Sequence, residues 1–125
     1  MFHKNDFKIY KNYSLYIKVI MSVVNVKVKF LRKQGYNNLK DWLKDPNNVY
    51  IGRANRFVEG AYESKWKNPF SVKKYGRKGC INKYKEYLYS SDLIKDIDEL
   101  RGKNLGCWCV PEGCHGDILM EAMAE

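Results

Sequence analysis

Long apolar runs are missing from this 125-residue chain. No stretch approaches the roughly 18 apolar residues that a membrane-spanning helix needs. Cysteine is sparse, with four in all, too few for a disulfide scaffold. No secretory pattern opens the sequence: Lys4, Lys8, Lys11 and Lys18 interrupt the apolar stretches of the first 20 residues, and no small-residue cleavage site follows. The expectation is an intracellular protein with its thiols in a reducing compartment. Cysteines there serve as metal ligands, reactive groups or packing more often than as disulfides. Phosphate-loop and dinucleotide fingerprints are absent, as are internal repeats and low-complexity segments.

Basic side chains are plentiful, but not everywhere. Lys and Arg number 23 against 14 acids, a net charge of +9. Residues 104–125 hold no Lys or Arg but four acids: Glu112, Asp117, Glu121 and Glu125. A basic body with an acidic tail favours anionic partners, such as a nucleotide, another anionic small molecule, or nucleic acid. Eighteen of the 23 cations are Lys, and no clustered run of Arg occurs. Scattered Lys is also what a merely solvated surface carries. Lys, Asn and Tyr are all over-used and share A/T-rich codons, so part of the charge is compositional.

With 45% apolar and 30% charged residues, the chain suits one globular domain with one core. Residues 6–20 are rich in β-branched and aromatic side chains and suggest one or two strands turning at Asn12–Ser14. Met21 stands just before the next element and is a plausible internal start. Residues 1–20 then form a strand-like extension outside a domain of 21–125, free to pair with a second copy's sheet edge in a homodimer. Residues 23–32 alternate, with Val24, Val26, Val28 and Phe30 on one side, and predict a half-buried strand. A short helix is predicted over 37–44, a strand over 49–51 stopped at Gly52, and a long loop over 53–77. Helices follow over 78–89 and after a Ser90 or Ser91 cap, the second ending at Gly102. A strand over 105–109, a turn at 111–113 and a helix over 115–124 complete the chain. Strands alternating with helices predict an α/β fold. The expected sheet is mixed, with a parallel pair formed by about 49–52 and 105–109 and helices packed on it.

The sharpest local feature runs from Cys107-Trp108-Cys109 through Cys114-His115-Gly116-Asp117. Strand period puts Cys107 and Cys109 on one face. Cys109 falls at the strand's carboxyl end, where open α/β sheets bind ligands. Cys114 and His115 fall at a helix start, which favours thiolate or a bound anion. Three readings stay open. Cys107, Cys109, Cys114 and His115 are ligands of the kind zinc takes, although C-x-C-x4-C-H is not a usual finger spacing. Cys109 or Cys114 could act as a nucleophile with His115 and Asp117. Small buried cysteines beside a capping His are the plain alternative.

Other motifs stand upstream. Gly52-Arg53 ends one strand, and Arg53 offers a planar fork for phosphate or carboxylate. Asn68-Pro69-Phe70 is a constrained turn in which Asn68 carries a donor and an acceptor. Trp66 between Lys65 and Lys67 suits stacking on a base beside phosphate contacts, or else folding over the core edge. Cys80 reads as packing. If the strands ending at Gly52 and Cys109 are parallel neighbours, Arg53, Asn68, His115 and Asp117 surround one pocket for an anionic guest. In that arrangement His115 is the acid or base, Asp117 orients it, and Arg53 and Asn68 hold the ligand.

Taken in order, Tyr50-Ile51-Gly52-Arg53, Ser64 to Phe70, the Tyr-rich helix, Leu100 to Cys109 and Cys114-His115-Gly116-Asp117 resemble the domain of unknown function 4326. The resemblance spans about residues 22–124. That family is spread among bacteriophages, large DNA viruses and microbes, which implies a viral or phage-type protein placed in host cytoplasm, nucleus or virion. It implies a candidate site and no activity.

Overall fold

The computed structural model describes residues 22–124. The strands expected over 6–20, and the homodimer expected through residues 1–20, lie outside the described residues.

Among the described residues three short strands form the sheet: β1 (Val23–Asn25), β2 (Asn48–Tyr50) and β3 (Asn104–Cys107). Their order is β1-β3-β2, and both pairings are parallel. Leu105 faces Val23 on one side and Val49 on the other, and Gly106 faces Val24 and Tyr50. The expected pairing of 49–52 with 105–109 is therefore present. The sheet is not mixed, however: among the described residues it is wholly parallel.

The first strand is also shorter than expected, and the reason lies at Asn25. The alternation over 23–32 predicts a single strand, but the strand ends at Asn25 and residues Val28–Lys33 form a helix, α1. The Asn25 side-chain oxygen accepts the Lys27 N–H at 2.9 Å, and its amide donates to the Val110 carbonyl. This local turn competes with the ladder and redirects the chain. Helical period then buries Leu31 completely and leaves Val28 45% exposed. Gly35, at φ 94°, closes α1: its N–H bonds to Arg32 and that of Tyr36 to Leu31, a left-handed cap that glycine adopts without strain.

A parallel sheet needs both faces covered, and two cores cover them. Leu105, Val23 and Val49 pack with Ile51, Trp66, Tyr84, Leu88, Leu100, Leu119 and Met123. The other face, with Val24 and Tyr50, packs Val26, Leu31, Leu39 and Trp42. The second core is built by α1 and by α2 (Leu39–Trp42), which Asn38 caps by accepting the Asp41 N–H. The first lies under three later elements. Helix α3 (Val72–Ser90) is capped by Ser71, breaks helical geometry at Gly76, and buries Cys80, Tyr84 and Leu88 at four-residue spacing. It starts six residues before the helix predicted over 78–89. A 3-10 helix (Asp92–Leu100), capped by Ser91, stands where an α-helix is predicted. Helix α4 (His115–Ala124) buries Ile118, Leu119 and Met123. No helix among the described residues is long and apolar enough to cross a membrane.

Candidate functional site

Residues 51–71 leave β2, cross the carboxyl edge of the sheet and lead into α3, while residues 108–114 leave β3 at the same edge and lead into α4. A cavity of about 330 Å³ lies between them, and Gly52, Arg53, Asn68, Cys109, Cys114 and His115 all line it. The guanidinium, amide and imidazole predicted to share one hollow do share it. Their hydrogen bonds also tie each of them into the fold.

Arg53 is a clip. Its Nε donates to the Asn68 carbonyl at 2.8 Å and Nη2 to the Phe70 carbonyl at 3.0 Å. Two of its five N–H groups thereby hold the turn, and Nη1 has no partner among the described residues. Asn68 is engaged at both ends. Its side-chain oxygen accepts the Phe70 N–H at 2.9 Å and its amide donates to the Cys80 carbonyl at 3.3 Å. The ligand-holding role expected for Asn68 is replaced by that of tying the turn to α3. Gly52 serves geometry as well: a Cβ there would lie 2.5 Å from the Tyr50 hydroxyl. That hydroxyl donates to the Arg53 carbonyl and accepts from the Trp108 indole at 2.7 Å.

Trp66 is not available for base stacking. It is only 3% exposed and belongs to the first core. Lys65 beside it pairs with Asp96 and Glu99. Burial of the indole decides between the two sequence readings in favour of the core.

Asp117 does not orient His115. One of its carboxylate oxygens accepts the Cys114 N–H at 3.1 Å, which caps the start of α4. His115 is oriented instead by β2: Nε2 lies 2.8 Å from the Ile51 carbonyl oxygen. A carbonyl only accepts, so Nε2 carries the proton and Nδ1 is left with its lone pair. Nδ1 stands 3.5 Å from the Cys114 Sγ. Burial, the largest influence, holds the His115 pKa below the usual value, against the Ile51 hydrogen bond. The ring is neutral, and Tyr84 packs edge-on against it with centroids 4.9 Å apart.

The three clustered thiols act together. The Sγ atoms of Cys107 and Cys114 lie 2.7 Å apart, both buried, and half-buried Cys109 lines the same cavity. Cys109 is pushed below the ordinary thiol value, chiefly by the neighbouring Cys107 and Cys114 thiols, with Arg77 adding to the effect. Cys107 is pushed up, chiefly by the neighbouring Cys109, and Cys114 is also pushed up, chiefly by Cys107. The Gly116 N–H points at the Cys114 sulfur at 3.4 Å.

Arg77 is the residue that motif reading missed. It lines the cavity together with Cys109, and Nη1 donates to the Gly113 carbonyl at 3.1 Å. The usable signal was scarcity: the chain has five Arg, and two of them line this cavity. Cys80 also lines it, but its Sγ donates to the Arg77 carbonyl within α3.

A family model described as a domain of unknown function (DUF4326) matches residues 34–125. The chain belongs to the DUF4326 family. Every site residue just described falls within the match, whereas β1 lies before it although it is hydrogen-bonded into the same sheet. The uncharacterized protein R718 of Acanthamoeba polyphaga mimivirus is 45% identical over 83 residues, 58% of this chain and 64% of the relative. The chain thus matches a little under two thirds of that relative's length. No solved structure matches. Within DUF4326 this domain is a small α/β unit of unknown function with a viral relative.

Proposed function

We propose that this DUF4326 domain, as an intracellular or virion-associated protein, binds a compact anionic small molecule of nucleotide size. The reading rests on one observation: two of the chain's five arginines, Arg53 and Arg77, line a single cavity at the carboxyl edge of a parallel sheet. Open α/β sheets place ligands at that edge. Arg53 Nη1 supplies an unused donor, and the planar forks suit phosphate or carboxylate. Phe70, Val72 and Ile81 provide apolar walls for the rest of the guest. The volume of about 330 Å³ is at the small end for ligand sites, which favours one nucleotide over a polymer.

Thermal unfolding with inorganic phosphate and with each nucleoside monophosphate tests this. A ligand at about 100 times its Kd adds about 2.7 kcal/mol, a rise of several degrees for a domain of this size. Arg77→Met and Val72→Trp should each abolish the rise, the second by filling the cavity without removing a charge. Absence of any shift at millimolar ligand overturns the reading. Salt-sensitive binding of DNA or RNA that survives both changes also overturns it, and assigns the basic surface to nucleic acid instead.

A further inference from the structure

We propose that Cys107, Cys109, Cys114 and His115 form a metal centre at the floor of the cavity, for zinc or a similarly thiophilic divalent cation. The ligand atoms of Cys107, Cys114 and His115 lie within 4.8 Å of one another, and all three residues are buried. Cys109 stands two residues beyond Cys107 and lines the same cavity, so a turn of its side chain would bring a third sulfur to the group. The donor set is soft and contains no carboxylate, because Asp117 is engaged with the Cys114 N–H. Thiolate and imidazole ligands select zinc over magnesium or calcium.

The imidazole is prepared for coordination. Nε2–H is fixed on the Ile51 carbonyl at 2.8 Å, so the lone pair of Nδ1 faces the sulfurs. Donation of the remote N–H to a backbone carbonyl is the usual outer support of a metal-bound histidine. The Nδ1–Sγ separation of 3.5 Å matches the distance of about 3.5 Å expected between nitrogen and sulfur on tetrahedral zinc, given Zn–N of about 2.0 Å and Zn–S of about 2.3 Å. The same geometry sets two bound sulfurs about 3.8 Å apart. Cys107 and Cys114 stand 2.7 Å apart, so loading separates them by about 1 Å through side-chain torsion.

Charge and outer contacts fit as well. A divalent cation with three thiolates and a neutral imidazole carries one negative charge, and the cation of Arg77 lines the same cavity as Cys109. The Gly116 N–H supports the Cys114 sulfur. Each ligand except Cys109 is held by a buried element, and Cys109 is the half-exposed member facing the cavity.

The test is metal analysis of the full chain purified without chelator, followed by cobalt(II) replacement. About one equivalent of zinc is expected, and cobalt(II) should give thiolate charge-transfer bands with the intense ligand-field bands of a tetrahedral site. Cys114→Ser and Cys107→Ser should lower metal content about tenfold or more, while Cys80→Ser retains it. If a serine variant does not fold, cobalt titration of the reduced wild-type chain still decides the matter. A folded, reduced protein that takes no cobalt, a spectrum without thiolate bands, or full metal content after loss of both Cys109 and Cys114 overturns the proposal. So does a Cys107–Cys114 disulfide that, once reduced, leaves thiols unable to bind metal. None of these readouts depends on the anionic guest: metal present without phosphate or nucleotide binding defeats only the pocket reading.

Discussion

The imidazole of His115 and the carbonyl of Ile51 stand 2.8 Å apart, joining residues 64 positions distant in the chain. The contact ties the first turn of α4 to the end of β2 and fixes the ring tautomer. His115→Ala leaves the buried carbonyl unpaired and removes the edge contact with Tyr84. A loss of about 3 kcal/mol in unfolding free energy is expected, measured by urea denaturation. A loss below about 1 kcal/mol would show that water or a neighbouring donor replaces the bond.

Tyr84 predicts a pH dependence. Its hydroxyl donates to the Trp66 carbonyl at 2.8 Å, and burial raises its pKa well above the ordinary 10.0. The folded state therefore holds the phenolic proton more tightly than the unfolded chain. That stability is complete below pH 10 and is lost as pH rises beyond it. Tyr84→Phe should cost about 1 kcal/mol at neutral pH. The gap between wild type and variant should close by up to about 1.4 kcal/mol per pH unit above 10. Parallel stability curves for the two proteins would refute this.

Gly106 sits where β3 passes under Trp42. A Cβ there would lie 2.8 Å from the indole and 2.7 Å from a Val26 methyl. Gly106→Ala should destabilise by about 2–3 kcal/mol through overpacking, visible as a lowered denaturation midpoint. A neutral result would mean that the second core yields more readily than close packing allows.

Arg53→Lys separates charge from geometry. Lys keeps the cation but cannot reach the Asn68 and Phe70 carbonyls as a fork. A stability loss of about 1 kcal/mol and faster proteolysis within residues 67–71 are expected, followed by mass spectrometry of the fragments. Unchanged cleavage would mean that Asn68 alone holds the turn.

Much of the architecture was legible because periodicity reports burial. The Tyr84 and Leu88 stripe, the Ser91 cap, the stop at Gly102 and the α4 face all follow from spacing and terminal chemistry. The parallel pairing of β2 with β3 follows from helices standing between strands. Alternation failed at 23–32, where a side-chain turn at Asn25 outweighed strand pattern. Trp66 failed differently: its flanking lysines are exposed enough to pair with acids while its ring turns inward.

The chain by itself determined which residue types crowd the carboxyl edge of the sheet, because strand ends and helix starts are local properties. Only the tertiary structure decided what each of those side chains does. Arg53 and Asn68 bond to backbone in their own turn, Asp117 caps its own helix, and Arg77 arrives from a distant helix to bond the Gly113 carbonyl beside the cavity. Hydrogen-bonding capacity is a property of the residue, whereas its partner is a property of the space around it, and that space is assembled from segments remote in sequence.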